Sequence, residues 1–203
     1  MRKLLCVPMM TLCLLLASCG TGEETTAQTL RQPYLDMEGC TMTAQIACAR
    51  QDLAWEGTVA CEYVPEATST VEVLAPELIA GVKAVVEGET FSLSYEGEIL
   101  NFVPLTEEEL TPLNVLPRLM AALREGWLLE ENREAWEETE CIRLVVDQSG
   151  REKLITTCWL RLEDAAPLRS EIAAGEEVIF IVEFTDFSFC DMIHDQEEVS
   201  SGK

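Results

Sequence analysis

Apolar and polar side chains alternate along most of the chain between residues 40 and 190. In the first such segment one face would carry Cys40, Met42, Ala44, Ile46 and Cys48. An alternation of period two, interrupted about every ten residues by glycine, proline or aspartate, is typical of antiparallel strands with one buried face. Strands are therefore predicted, in the simplest case as a meander, over 40–48, 55–63, 70–74, 83–86, 91–95, 99–103, 127–131, 140–147, 153–162 and 178–189.

One segment replaces this alternation with helical spacing. Asn114 is suited to an N-cap and Gly126 to the position just after a helix, so a helix is predicted over 114–125. Its apolar stripe consists of Leu116, Leu119, Met120 and Leu123. Two interpretations stay open: the stripe packs on the core of the sheet, or the helix plugs or lines an apolar ligand groove. Between two predicted strands, Glu96-Gly97 predicts a tight hairpin turn.

The N-terminal residues predict export and lipid attachment. Arg2 and Lys3 precede an apolar run over 4–16 that is too short to span a bilayer and is typical of a secretory signal. The run ends in Leu-Ala-Ser-Cys19, which resembles the lipobox of bacterial lipoproteins, where the cysteine receives a diacylglyceryl group and becomes the mature N-terminus. The resemblance implies anchoring to the cell membrane, on its extracytoplasmic side, through lipid on Cys19. An ordinary signal peptide cut nearby is the alternative.

The sequence thus divides into four segments. Residues 1–18 are the predicted signal peptide, and 19–32 are a lipidated N-terminus and flexible polar tether, with at most a helical turn near 27–30. Residues 33–190 form the predicted β domain, and 191–203 a polar tail.

Charge and composition exclude several function classes. The 203 residues include 14 basic and 37 acidic side chains, for a net charge of -23, and removal of 1–18 would leave 12 basic and 37 acidic ones, or -25. Such a surface disfavours nucleic acid, which needs clustered lysine and arginine. A single histidine, His194, argues against histidine metal clusters and triad hydrolases. No metal, cofactor or catalytic residue is predicted.

Two features of the sequence could instead be metal sites. Paired glutamates such as Glu130-Glu131 could hold a divalent cation, but they lack the spacing of a calcium loop and are interpreted as solvated surface. Cys190 and His194 could hold a soft metal, but they lie at the start of the predicted polar tail and lack two further ligands.

Six cysteines remain in the predicted mature domain after Cys6 and Cys13 are removed and Cys19 is lipidated. An even number in an exported chain favours disulfides. A two-residue turn at Ser149-Gly150 would place Cys141 opposite Cys158, and a similar turn at Ala54-Trp55 would place Cys48 opposite Cys61. Cys40 and Cys190 would then pair by elimination. Buried free thiols are the alternative for some of these residues.

A family resemblance is carried by two stretches. Residues 70–81 (TVEVLAPELIAG), 87–100 and the leucine-rich helix, followed by 159–172 and 178–187, look like the middle and last strands of a LolA-type lipoprotein-sorting fold. The chain is also similar to a lipid-anchored Gram-positive subgroup, which includes germination lipoproteins of the GerS type. The resemblance implies a mainly β (α+β) fold: an antiparallel half-barrel sheet with one amphipathic helix on its concave side. The N-terminal lid helix of that family is predicted to be missing or reduced to a turn.

These observations predict a non-enzymatic, membrane-anchored protein that binds an apolar ligand, a lipid or lipopeptide, in the half-barrel. The alternative that the resemblance implies is a regulatory or scaffolding partner of a cell-wall hydrolase, and an enzyme with convergent carboxylates is a third hypothesis. The expected partners are the membrane, a lipid ligand or a cell-envelope protein, and not nucleic acid. The candidate groove residues are Leu116, Leu119, Met120, Leu123, Trp127, Phe91, Leu93, Tyr95, Phe180 and Phe184.

Overall fold

The computed structural model describes residues 26–49, 54–87, 90–104, 110–148 and 154–190. They form an 11-stranded antiparallel sheet with two α-helices and one short 3₁₀ turn, Glu77–Ile79, so the predicted fold class is confirmed. The helices are α1 (Ala27–Asp36) and α2 (Val115–Glu125). The strands are β1 (Gly39–Cys48), β2 (Trp55–Tyr63), β3 (Ser69–Ala75), β4 (Lys83–Glu87), β5 (Thr90–Tyr95), β6 (Glu98–Pro104), β7 (Trp127–Trp136), β8 (Thr139–Asp147), β9 (Leu154–Arg161), β10 (Pro167–Ala174) and β11 (Glu177–Cys190).

The strand order departs from a simple meander at one place. Strands β1 to β6 form one meander and β7 to β11 a second, and the two join through pairing of β1 with β11. The edges of the sheet are consequently β6 and β7, which are consecutive in sequence, and α2 lies in the connection between them. The first and last described strands therefore lie side by side in the middle of the sheet.

A single core lies between the two helices and one face of the sheet, the inner face. Along β1 the predicted alternation is confirmed, since every second residue from Cys40 to Cys48 is buried. The inner side chains of β8 and β9 and the stripe of α2 join the same cluster. Burial of this apolar surface is the main stabilising term of the fold.

Two strands differ from their predicted extent. Strand β10 was not predicted, because the pairing of β10 with β9 shifts register between Pro167 and Arg169 and this shift breaks the alternation. Strand β7 continues five residues beyond the predicted end at 131, to Trp136, and the first four of these residues are exposed. The predicted hairpin at Glu96-Gly97 is confirmed, with both residues at positive φ.

Helix α1 corrects the prediction of a tether to residue 32 and of a missing N-terminal helix. Thr26 caps it, with the hydroxyl accepting from the backbone N–H of Thr29 at 3.4 Å. Ala27, Leu30 and Tyr34 are buried and lie on one helix face. A polar sequence that contains Pro33 obscured this short stripe. Within the described residues, neither helix is long and apolar enough to cross a membrane.

Candidate functional site

The predicted groove stripe of α2 lies in the core. Leu116, Leu119, Met120 and Leu123 are all 0% exposed, so the helix packs its whole apolar face on the inner face of the sheet. The part of the inner face that lies beneath α2 is thus occupied by the protein's own side chains.

The remaining candidate groove residues do not converge on one cavity. Phe180 is fully buried, whereas Leu93 and Phe184 are partly buried against the core. Tyr95 and Trp127 are exposed, on β5 and β7. Phe91 is also part of β5, but its side chain lies outside the described residues.

Two arginines lock α1 and α2 together. Arg31 of α1 donates from Nε to the carbonyl of Leu123 at 2.7 Å, and from Nη2 to the carbonyls of Arg124 and Gly126 at 3.1 and 2.9 Å. In return, Arg124 of α2 donates from Nη1 to the carbonyls of Tyr34 and Leu35 at 2.9 and 3.3 Å. Each guanidinium satisfies carbonyls at the C-terminal end of the other helix, where the macrodipole favours a cation. We call this arrangement the arginine lock.

Gly126 allows this close packing. It follows the last residue of α2, as predicted, and its φ of −63° is one that any residue could adopt. The requirement is spatial, because a Cβ atom would lie 2.5 Å from the carbonyl oxygen of Ala122 and would also overlap Val146.

Tyr34 anchors α1 to the sheet. Its hydroxyl donates to the carbonyl of Ala165 at 2.6 Å, and its ring centroid lies 6.0 Å from Phe187 and 5.1 Å from Phe189. Complete burial raises the pKa of Tyr34 well above its ordinary value. Helix α1 is therefore fixed on two sides, to the sheet by Tyr34 and to α2 by the arginine lock.

An open groove of about 530 Å³ lies along one flank of α2, between the helix and inner-face side chains of β2, β3 and β4. We call it the α2 groove; its lining includes Tyr63, Ser69, Val86, Pro117, Ala121 and Glu125. Burial raises the pKa of Tyr63 to about 12, so the phenol stays neutral at physiological pH. The groove mixes small apolar side chains with charged and polar ones.

The predicted register of both cysteine hairpins is wrong. Cys141 lies opposite Arg161 and Cys158 opposite Leu144, so these two cysteines are offset by three residues and face opposite sides of the sheet. Cys61 lies opposite Met42, six residues from Cys48 on β1, or about 20 Å along the strand. Both predictions assumed two-residue turns, but residues 148–154 and 49–54 separate the paired strands.

The third predicted pair is also separated by the sheet. Cys40 faces Phe189 and lies on the inner face, whereas Cys190 faces Gly39 and is exposed. All six cysteines of the described residues are free thiols. Burial raises the pKa of Cys40 and of Cys158 to about 12, and it raises that of Cys61 further. A thiol with such a pKa is protonated and unreactive at neutral pH.

A brief iodoacetamide pulse on the reduced, folded protein should therefore modify Cys190 first. We expect Cys40, Cys61 and Cys158 to react at least about tenfold more slowly, because they are buried and protonated. Peptide mapping by mass spectrometry gives the modification rate at each cysteine. In the control the same pulse is applied in urea, where all four cysteines should react at the same rate. Equal modification rates in the folded protein would contradict the burial of Cys40, Cys61 and Cys158.

The outer face carries an aromatic cluster that holds β7 to its neighbours. The rings of Trp136 and Trp159 lie 5.3 Å apart, and the guanidinium of Arg169 lies 4.9 Å over Trp136. Trp159 donates from Nε1 to the carboxylate of Glu134 at 2.6 Å. We call these residues, with the buried Cys141 beneath them, the outer cluster. Among the described residues, no group of three or more histidine, cysteine or acidic side chains could hold a metal ion.

No family model matches the sequence, and no curated protein matches it. Solved structures do. A LolA superfamily protein from Nitrosomonas europaea is similar over 83% of this chain and 96% of its own, with 12% identity and a TM-score of 0.46. An uncharacterized conserved protein from Thermus thermophilus is similar over 83% and 90%, with 16% identity and a TM-score of 0.49.

A third similar structure is the CwlD amidase from Clostridioides difficile in complex with the GerS lipoprotein. The match covers 82% of this chain and 98% of that chain, with 12% identity and a TM-score of 0.38. Identities of this size concern the fold alone.

Proposed function

We propose that this chain is a non-catalytic protein, anchored on the extracytoplasmic side of the cell membrane by lipid on Cys19, that binds a partner protein. The observation that carries the proposal is the filled inner face. The apolar stripe of α2 is fully buried, and the arginine lock ties α2 to α1. An acyl chain would have to displace α2 to enter, at the cost of the core contacts and of the lock. The outer surface and the edges of the sheet are then the surfaces that a protein partner can reach.

The resemblance to GerS-type lipoproteins suggests the class of partner. A cell-wall hydrolase at the membrane surface would be regulated or scaffolded by such a protein. The acidic surface, with 37 acidic and 14 basic side chains in the chain, would attract a partner with a basic patch and would repel an anionic bilayer.

A lipid ligand is the second candidate, and the α2 groove is the feature that favours it. Its volume of about 530 Å³ is within the range of small-molecule sites. Its charged lining, which includes Glu66 and Glu125, is a poor match for an acyl chain, which is why we rank it second.

A fluorescent apolar probe separates the two candidates. The chain with Cys19→Ala, which cannot be lipidated, should give no saturable binding of N-phenylnaphthylamine, because the space between α2 and the sheet is filled. A lipid-binding protein of known affinity for the probe is the positive control. Saturable binding by the Cys19→Ala chain that Ala121→Trp in the α2 groove abolishes would favour the lipid candidate instead.

The partner itself is sought by cross-linking the lipidated chain in its own membrane and identifying the adducts by mass spectrometry. We expect a cell-envelope protein in stoichiometric amount, and a hydrolase if the scaffolding role is correct. Absence of any specific adduct from intact cells would contradict the partner role.

A further inference from the structure

Strand β7 is an exposed edge. It pairs only with β8 in the described sheet, and eight of its ten residues are exposed. On an antiparallel edge strand, every second residue directs its backbone N–H and C=O away from the sheet. The strand contains neither lysine nor proline, which natural proteins commonly use to block such edges.

The strand is held in an extended shape before anything binds it. The carboxylate of Glu134 accepts from Trp159, and Trp136 stacks on the same ring. At the other face, Glu131 Oε2 accepts from the N–H of Ala27 at the start of α1, at 3.2 Å. Side chains of β7 thus fix it from both faces while its free backbone edge stays available, and a preordered edge lowers the entropy cost of binding.

The charge of this region selects the partner. Residues 125–140 contain seven glutamates and one arginine. Arg143 of β8 forms ion pairs with Glu130 and Glu134, each at 3.5 Å, which compensates only part of the charge. A second copy of the chain that paired through β7 would place glutamates against glutamates, and like charges on opposed strands are destabilising.

We propose that β7 is a docking edge for an extended, lysine- or arginine-rich segment of a partner protein, which adds to the sheet as a further strand. Backbone hydrogen bonds along the edge supply affinity, and the glutamates select a basic segment. Trp127 and Leu129, which are 72% and 49% exposed, offer apolar contact at the beginning of the strand. This inference rests on the proposed partner-binding function and names the surface and the chemistry of the partner.

The test uses labelled peptides of the same length as β7 and the full chain in a non-ionic detergent. A peptide of alternating lysine and threonine can form a strand, one of alternating lysine and proline has the same charge but cannot, and one of alternating glutamate and threonine has the wrong charge. We expect the lysine–threonine peptide to bind at least about tenfold more tightly than the lysine–proline peptide. The glutamate peptide should not bind. Equal binding of the two lysine peptides would overturn strand addition.

A matched pair of charge variants locates the binding site. Glu130→Lys should lower the affinity for the lysine–threonine peptide by about threefold to tenfold. The Glu130 side chain is 63% exposed, so the variant should keep its fold. Glu62→Lys makes the same charge change at an exposed position in the middle of the sheet, on β2, and should change affinity less than about twofold. Equal effects of the two variants would exclude β7 as the site.

The membrane cross-linking experiment separates failure of this inference from failure of the proposed function. An adduct that forms equally with the original chain and with Glu130→Lys would preserve the partner role and exclude β7. Peptide binding that depends on Glu130, together with no adduct in cells, would preserve the edge and exclude the partner role.

Discussion

Replacing Arg31 with alanine is expected to lower the free energy of unfolding by about 3 kcal/mol. Three carbonyls at the end of α2 lose their donor at once. A hydrogen bond to a charged group contributes about 1.5 to 3 kcal/mol, and water recovers part of that sum where the carbonyls are partly exposed. In a domain of this size the midpoint of thermal unfolding should fall by roughly 10 °C. Urea and thermal unfolding followed by circular dichroism measure both quantities.

Two further variants distinguish the arginine lock from a general effect of charge. Arg161→Ala removes a guanidinium that is paired on the surface with Asp164 at 3.0 Å and should cost less than about 0.5 kcal/mol. The double variant Arg31→Ala/Arg124→Ala should cost less than the sum of the single ones, because either substitution already loosens the contact between the helices. Strict additivity would mean that the two caps act independently.

The second large effect is a loss of stability at alkaline pH. The thiols of Cys40 and Cys158 have an ordinary pKa of 9.0, and burial raises both pKa values to about 12 in the folded protein. Above pH 9 the unfolded chain has released protons that the folded protein still holds. The stabilisation is therefore complete below pH 9 and is lost as the pH rises toward 12, by about 1.4 kcal/mol per pH unit for each group.

Urea unfolding in a reducing buffer at a series of pH values measures this slope. Cys40→Ala should make the slope shallower by about 1.4 kcal/mol per pH unit. Met42→Leu changes a neighbouring buried side chain of β1 that does not titrate, so it is the matched control and should leave the slope unchanged. Parallel curves for Cys40→Ala and the original chain would contradict the burial of this thiol.

Much of the sheet could be predicted because its signal is local. Strand β1 has an uninterrupted alternation of apolar and polar residues, and an acidic residue followed by glycine, as in Glu96-Gly97, is typical of a tight hairpin turn. Register could not be predicted, since it depends on loop length and on bulges such as that between Leu128 and Glu130. The wrong pairing predicted for Cys141 and Cys158 followed from this unpredicted register.

In the candidate site, too, the locally encoded features could be predicted and the long-range contacts could not. The stripe of α2 was found from its spacing, but spacing does not say whether a buried face meets a ligand or the core. The arginine lock joins residues 93 positions apart, and nothing in the sequence around Arg31 distinguishes it from a solvated arginine. The sequence of α1 is mostly polar and has Pro33 in its interior, so it likewise gave no sign that this helix would pack on the sheet.

Pairing of β1 with β11 has a consequence for how the protein is made. Strand β1 leaves the ribosome long before its partner β11. The pairing of β1 with β11 in the middle of the sheet can therefore form only when synthesis of the domain is nearly finished. Until then the inner side chains of β1 and the underside of α1 have no complete shelter, and the nascent chain remains open to chaperones and proteases. That late closure would suit the export that we propose, because a polypeptide has to stay unfolded while it is threaded across a membrane.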